Sequence, residues 1–486
     1  MNRRMVFRII SFVLLIEAIA MLPALILSLV FHEPEATRGF GITILLAISL
    51  ASIDFLFPPK RNSLYATEGY VITALSWIII SVVGCLPFLI SGALTNFFEA
   101  FFEIVSGFTT TGATILKNIE GTYRSLLFWR SFTHWLGGMG VLVFLLAIVS
   151  MTGSEGNMIH LLRAESPGYD VGKMTPKLKE TAMTLYFLYI ALTILEFVIL
   201  MICGMPPFDA ICITFGTAGT GGFGVTNNGL AAYNPACQTV ATVFMLVFGV
   251  NFSIYFLIVT RQFSEVKINE ELWTYLGIFT VSAFLIAFNT LSMSPNFKTA
   301  FHHSAFQVAS IMTTTGFNTV DFDLWPWFSK TILVILMFIG ASAGSTGGGI
   351  KVSRLLIAVK AIRRQGNKIL HPRSIRVLRM NQKGLDEAIV QGVLGFLATY
   401  ILLLFGSVLI ISLDNFNLET NFTAVLSCLS NIGPGLSAVG PTSNFTAFSN
   451  FSKVILSFDM LLGRLELFPV LILFNPHIWR RNSGRG

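Results

Sequence analysis

The sequence predicts an all-α polytopic membrane protein of about ten transmembrane helices. An N-terminal helix pair is followed by four pseudo-symmetric units, each a helix, a short re-entrant segment with its turn, and a second helix. Three observations carry this expectation. Of the 486 residues, 54% are hydrophobic and only 12% are Asp, Glu, Lys or Arg, against roughly 25% charged in an ordinary soluble domain. Mean hydropathy is +0.73, and long apolar runs recur along the whole chain. Between four pairs of those runs lies a shorter apolar stretch that ends in a Gly-containing turn. Such a composition excludes disorder, coiled coil, collagen and an ordinary soluble fold. Cys85, Cys203, Cys212, Cys237 and Cys428 lie in or beside apolar runs without a repeated spacing, so they form neither a disulfide framework nor a CxxC metal site.

A helix needs about 20 apolar residues to cross the hydrocarbon core. Runs of that length occupy residues 5–31, 39–57, 70–91, 125–151, 182–203, 236–261, 272–292, 330–350, 388–412 and 451–476. The first is too long for a signal peptide, lacks a small-residue cleavage site and leads into further spans, so it reads as a retained helix. The shorter stretches at 97–108, 207–217, 300–312 and 421–430 cannot cross and suit re-entrant half-helices. The expected organisation is an N-terminal pair (1–66) and units at 67–178, 179–268, 269–383 and 384–486. The third unit contains a candidate gating loop, 341–351, and a basic cytosolic loop.

Lys and Arg in the loops set the orientation. With Arg3, Arg4 and Arg8 inside, strict alternation places 24 of the 32 basic residues on the same side, ten of them between Lys351 and Lys383. The opposite loops at 204–235 and 413–450 contain none. Both termini are therefore expected in the cytoplasm, and lipid-facing charge accounts for the basic residues without nucleic acid.

The four turns read Thr109-Thr110-Thr111-Gly112, Gly219-Thr220-Gly221-Gly222, Thr313-Thr314-Thr315-Gly316 and Ser430-Asn431-Ile432-Gly433. Phe98-Glu99-Ala100 and Phe208-Asp209-Ala210 each begin 14 residues before the fourth-position glycine. Phe422-Thr423-Ala424 begins three residues closer to its own, so the fourth unit is expected to have drifted. All four turns fall on the outer side. Non-helical backbone at membrane depth must be buried in protein or line a watery cavity. Four such turns about one axis could ring it with backbone carbonyls that replace a cation's hydration shell, at the negative ends of four short helices. Gly at the fourth position permits positive φ. No turn carries a carboxylate, which disfavours Ca²⁺ and Mg²⁺ and favours K⁺ or a similar monovalent ion. The plainer alternative is that Gly and Thr here only let helices pack closely. The candidate ligand positions are Thr110, Thr111 and Gly112; Thr220, Gly221 and Gly222; Thr314, Thr315 and Gly316; Asn431, Ile432 and Gly433.

Together with Gly344-Ser345-Thr346-Gly347-Gly348-Gly349-Ile350-Lys351 and Gly463-Arg464-Leu465-Glu466, these turns make the chain resemble the Trk/Ktr/HKT superfamily of potassium transporters over nearly its whole length. The extra N-terminal pair favours the ten-span branch over eight-span relatives. The resemblance implies a pseudo-fourfold pore with one filter strand per unit, a homodimer, and a TrkA-type cytosolic regulatory ring that binds nucleotides. A nucleotide is thus expected only in the partner, with no cofactor in this chain. Glycine at all four filter positions goes, in that superfamily, with K⁺ preference. The fourth turn departs from Thr-rich usage.

Gly344, Ser345, Thr346, Gly347, Gly348 and Gly349 lie within an apolar run, and each Gly costs about 1 kcal/mol relative to Ala in a helix. An unwound segment is expected there, and the resemblance implies a gate beneath the filter; a close helix crossing is the alternative. The segment lacks phosphate-loop spacing. Arg464 lies half-way along the last run, where a charge must face the bundle interior or water. It is expected to act as a pore barrier to cations, or else as a structural partner of Glu17, Asp54 or Glu196. Glu466, two residues on, is not its obvious partner. Glu17 and Glu196 suit interhelical hydrogen bonding better than a proton path, and His302 and His303 have no ligand partners at suitable spacing. The basic stretch Lys351–Lys383 serves orientation and lipid contact or offers a surface to the cytosolic partner. The expected function is K⁺ uptake across the bacterial inner membrane. A K⁺/H⁺ or K⁺/Na⁺ symporter is the alternative, and no enzyme motif is present.

Overall fold

The computed structural model describes residues 3–56, 66–152, 178–373 and 377–476. The orientation signals Lys60, Arg61, Arg163, Lys173, Lys177, Arg376, Arg480, Arg481 and Arg485 lie outside them, as does the side chain of Asp54. Among the described residues the regular structure is helical apart from a two-stranded ribbon pairing Arg379–Met380 with Lys383–Gly384. Its surface inverts that of a soluble protein. Phe187, Leu402 and Leu409 are more than two-thirds exposed on long helices, whereas Thr109, Glu103, Arg130, Thr314 and Asn431 are buried at the centre. That distribution fits a lipid surround.

Among the described residues, six helices are long and apolar enough to cross a bilayer: Arg4–Val30, Pro34–Ile53, Glu68–Ile90, Met183–Ile202, Glu270–Asn289 and Glu387–Asp414. A seventh forms if Pro235–Gly249 and Phe252–Val259 count as one span, although they meet at 89°. Three of the ten apolar runs break within the span, and a fourth, 70–91, is interrupted at Cys85 between the helices Ala66–Gly84 and Leu86–Ile90. The run 236–261 breaks at Val250-Asn251. The run 330–350 stops at Ile339. The run 451–476 stops at Arg464 and resumes at Phe468. The N-terminal helix Arg3–Val30 packs on Pro34–Leu56, Ala66–Gly84 and Arg124–Thr152. Glu33, between the first two, caps the helix Arg124–Thr152. Its carboxylate accepts from the amides of Arg124 (2.7 Å) and Ser125 (3.1 Å), a favourable place for an anion at a helix N-terminus.

The short helices fall where the apolar stretches indicated: Phe97–Phe108, Pro207–Ala218, Phe297–Met312 and Leu418–Ser430. Local chemistry starts three of them, since the side chains of Asn96, Asn296 and Asn417 accept from Phe98, Thr299 and Thr420 amides. The drift expected of the fourth unit lies in residue identity and not in where its helix begins. Its helix begins 15 residues before Gly433, as the first and second begin 15 before Gly112 and Gly222. The third begins 19 before Gly316, longer by about one helical turn. The fourth helix has 13 residues, against 12 in each of the first two.

Candidate functional site

Each short helix ends directly in one of the four turns, and the turns share one backbone path. The second residue is left-handed in every case: Thr110 (φ 55°), Thr220 (54°), Thr314 (59°) and Asn431 (56°). The fourth-position glycines have φ of 80°, 76°, 85° and 102°. The second-position amide always donates to the carbonyl three residues back, and the third-position amide to the carbonyl five back, as in Thr110 to Gly107 (3.1 Å) and Thr111 to Ser106 (2.9 Å). Left-handed Thr is rare because its Cβ is branched, and each such residue costs on the order of 1–3 kcal/mol that the surrounding contacts must offset. Asn tolerates this region better, which accounts for Asn431 in the turn that departs from Thr-rich usage.

The turns meet in a ring, traced by the space beside each glycine. A β-carbon on Gly112 would lie 2.0 Å from the carbonyl oxygen of Gly221, and one on Gly222 would lie 1.9 Å from that of Thr315. One on Gly316 would lie 2.1 Å from that of Ile432, and one on Gly433 would lie 2.8 Å from that of Thr111. Each fourth-position glycine therefore abuts the third-position carbonyl of the next turn, and the fourth turn abuts the first. A cavity beside the ring is lined by all four glycines together with Lys117 and Asn227.

The side chains behind the ring differ from turn to turn. In the first and third turns the hydroxyls of Thr109 and Thr111, and of Thr313 and Thr315, pair at 2.8 Å. The second turn has Gly at both equivalent positions because His134 occupies the space. A β-carbon on Gly221 would lie 2.3 Å from the imidazole, and one on Gly219 would lie 2.2 Å from the His134 carbonyl. In the fourth turn the Asn431 amide donates to the Thr111 hydroxyl (3.0 Å) and the Met460 carbonyl (2.9 Å), so it ties the last turn to the first.

Next to the ring lies a second layer made from the helix breaks. The connection Gly340–Lys351 is non-helical, as its glycine content indicated, and it contacts the third and fourth turns. The Gly348 amide donates to the Thr314 hydroxyl at 2.6 Å. A β-carbon on Gly348 would lie 2.2 Å from the Ser430 carbonyl. The broken helix 235–259 gives this connection its loose backbone groups: the Gly249 carbonyl accepts from Ser342 (3.1 Å), and the Phe252 amide donates to Gly344 (3.0 Å). Arg464 closes the layer. It donates to the Thr110 hydroxyl (3.1 Å), the Thr346 carbonyl (2.7 Å) and the Gly137 carbonyl (2.6 Å). Its guanidinium thus joins the first turn, the Gly-rich connection and the helix Arg124–Thr152. Glu466 pairs with Arg354 at 2.5 Å. Glu17 lies buried against Gly84, behind the first short helix, and Glu196 is fully buried. His302 bonds Gln238 (2.7 Å) and His303 bonds Thr319 (3.1 Å), which gives both a structural place.

Several residues that hold the ring were not among the expected ones. Glu103 and Arg130, both fully buried, pair at 2.5 Å. Glu103 also accepts from Thr114 (2.9 Å) and the Ile115 amide (2.9 Å). Arg130 donates to the Gly224 carbonyl (3.0 Å) and covers the Phe223 ring at 3.5 Å, joining the chain beyond the first turn to that beyond the second. Lys453 reaches Glu99 at 2.7 Å, and Lys330 reaches Glu419 at 4.0 Å. Ionisable groups inside apolar runs were the available signal, but their partners lie up to 354 residues away.

This arrangement has close relatives. The sequence model of TrkH, described as a cation transport protein, matches residues 33–293 and 272–481. The chain belongs to the TrkH family. It is 34% identical over 491 residues to the Trk system potassium uptake protein TrkH of Salmonella typhimurium, with 99% of this chain and 100% of that protein covered. It is 30% identical over 486 residues to the Trk system potassium uptake protein TrkG of Escherichia coli, covering 98% and 99%. The crystal structure of the potassium transporter TrkH from Vibrio parahaemolyticus superposes with a TM-score of 0.88 at 31% identity, covering 99% of this chain and 100% of that one. Membership of the TrkH family makes this a membrane transport protein with several transmembrane helices.

Proposed function

We propose that this chain takes up potassium ions across the bacterial inner membrane, with both termini in the cytoplasm and ten spans arranged as an N-terminal pair and four pore-forming units. The single observation that carries the reading is the closed ring of third-position carbonyls against fourth-position glycines. Backbone carbonyls in a ring can take the place of water around a weakly hydrated cation, and a ring without carboxylates suits a monovalent ion better than Ca²⁺. The filter positions are the twelve named residues of the four turns. The potassium uptake function of full-length relatives supports the choice of ion.

The same reading makes the Gly-rich connection 341–351 a gate and Arg464 an electrostatic barrier on the cytosolic side of the filter. A cation in the path would meet a guanidinium fixed by three hydrogen bonds. A homodimer and a TrkA-type nucleotide-binding ring complete the proposed assembly, the basic helix Val352–Leu370 being the surface offered to the ring. The test is rubidium-86 uptake into liposomes holding the purified chain, without a proton gradient. Uptake blocked by K⁺ and not by Na⁺ is expected. Uptake that appears only when a proton gradient is imposed overturns the passive filter.

A further inference from the structure

The Gly340–Lys351 connection has few side chains with which to hold itself in place, yet it sits against two filter turns. One carboxylate ties it to the start of the helix that follows it. Glu271 Oε1 accepts from the Ala343 amide at 2.7 Å and from the Ser353 amide at 3.2 Å, so residues ten apart in sequence converge on a single oxygen. Glu271 is buried and stands in the first turn of the helix Glu270–Asn289, whose start is capped by Asn269 accepting from Leu272 at 2.9 Å. A carboxylate there is favoured by the helix dipole, and its bonds to amides are of the strong, charge-assisted kind. Lys351, at the end of the connection, donates back to the Gly347 carbonyl. The neighbouring Glu270 pairs with Lys360 and accepts from the Asn381 amide at 3.1 Å. One rigid helix start therefore grips the connection through Glu271 and the basic helix Val352–Leu370 through Glu270.

We propose that Glu271 is the positioning residue that latches the gating connection across the ion path. This rests on the gate reading given under Proposed function. Displacing the connection requires Ala343, Ser353 or both to leave the carboxylate, so Glu271 sets how often the path opens. Movement of the basic helix, coupled through Glu270 to the same helix start, is then placed to pull Ser353 from the latch.

The full chain is reconstituted in liposomes, and rubidium-86 uptake is read without any cytosolic partner. Glu271→Ala should raise uptake about tenfold, a shift of about 1.4 kcal/mol in the opening equilibrium, with K⁺-over-Na⁺ competition unchanged. Glu271→Gln, whose carbonyl oxygen still accepts from amides, should stay within about twofold of the parent. Glu271→Asp keeps the charge but withdraws the oxygen by one methylene, and should fall between them. As a second readout, Ser345→Cys in a background lacking the five native cysteines should label faster with a water-soluble maleimide when Glu271 is Ala or Asp. Unchanged uptake and labelling in both variants overturn the latch, as does a rise accompanied by lost ion discrimination. Deletion of residues 345–348 separates the two readings. If the deletion raises uptake while Glu271→Ala does not, the latch fails and the gate stands; if neither raises it, the gate reading itself fails.

Discussion

The ring of four turns and the layer beside it solve opposite problems with the same four units. In the ring, one backbone path appears four times, with a left-handed second residue, positive φ at the fourth and the same two hydrogen bonds. In the layer, each inner helix does something different. Arg124–Thr152 is continuous, Pro235–Val259 bends by 89°, Trp327–Ile339 ends in an extended connection, and Asn450–Arg464 stops at the left-handed pair Glu466 and Leu467. An ion at the axis of a ring asks every strand for the same carbonyl. A barrier needs only one obstacle, and the other units need only satisfy the backbone it leaves open. On the proposed reading, symmetry in the first layer serves selection and asymmetry in the second serves gating.

The largest effects are expected where the ring is tightest. Gly222→Ala puts a methyl 1.9 Å from the Thr315 carbonyl oxygen, at φ 76°. Uptake should fall by about 100-fold, equivalent to about 2.7 kcal/mol. Gly433→Ala meets its neighbour at 2.8 Å but has the larger φ, 102°. It should cost only about tenfold, because overlap with a fixed carbonyl outweighs conformational strain. Rubidium uptake by the two variants, side by side, decides this. The reverse order would mean that the ring is defined by backbone conformation and not by contact between turns.

In the second layer the sign should invert. Arg464→Gln removes the charge while keeping a side chain that can bond Thr110 or Thr346. Uptake without a partner should rise about tenfold with unchanged preference for K⁺ over Na⁺. A fall in uptake that tracks a fall in yield would make Arg464 a clamp and not a barrier.

The two layers were also unequally legible. The turns announced themselves because four short apolar stretches ended in Gly at domain-like intervals, and Gly344–Gly349 could not continue a helix cheaply. Arg464 stood out as a charge inside an apolar run. The break at Val250-Asn251 carried a weaker signal, Gly249 before it and Asn251, which caps the next helix by accepting from the Ser253 amide, inside an otherwise apolar run. What completes it is tertiary: the carbonyl of Gly249 and the amide of Phe252 are satisfied by Ser342 and Gly344 of a distant connection. Gly221 faces the ring with its carbonyl, and its lack of a side chain is explained by the His134 ring, which fills the space a β-carbon would need. The Glu103–Arg130 pair was visible as two charges but not as a pair. Local chemistry therefore reveals the repeated layer, while the unrepeated one depends on contacts that no single segment contains.

The smallest effect should come from within the ring, where the turns are alike in backbone and unlike in side chain. Thr109 donates to the Val105 carbonyl at 2.6 Å and shares a 2.8 Å contact with the Thr111 hydroxyl. The third turn repeats both through Thr313, bonded to Ala309 at 2.7 Å and to Thr315 at 2.8 Å. Thr109→Val keeps the shape and the branched β-carbon but removes the hydroxyl, and the net worth of such a bond is about 0.5–1.5 kcal/mol. The Thr111 hydroxyl is still held by the Asn431 amide at 3.0 Å, whereas no corresponding Asn bond holds Thr315 among the described residues. Thr313→Val should therefore weaken K⁺-over-Na⁺ discrimination by about threefold, and Thr109→Val by less. Competition curves for the two variants measure the difference. If they coincide, the bond across from the fourth turn contributes nothing, and the first and third turns are equivalent in strength as well as in sequence.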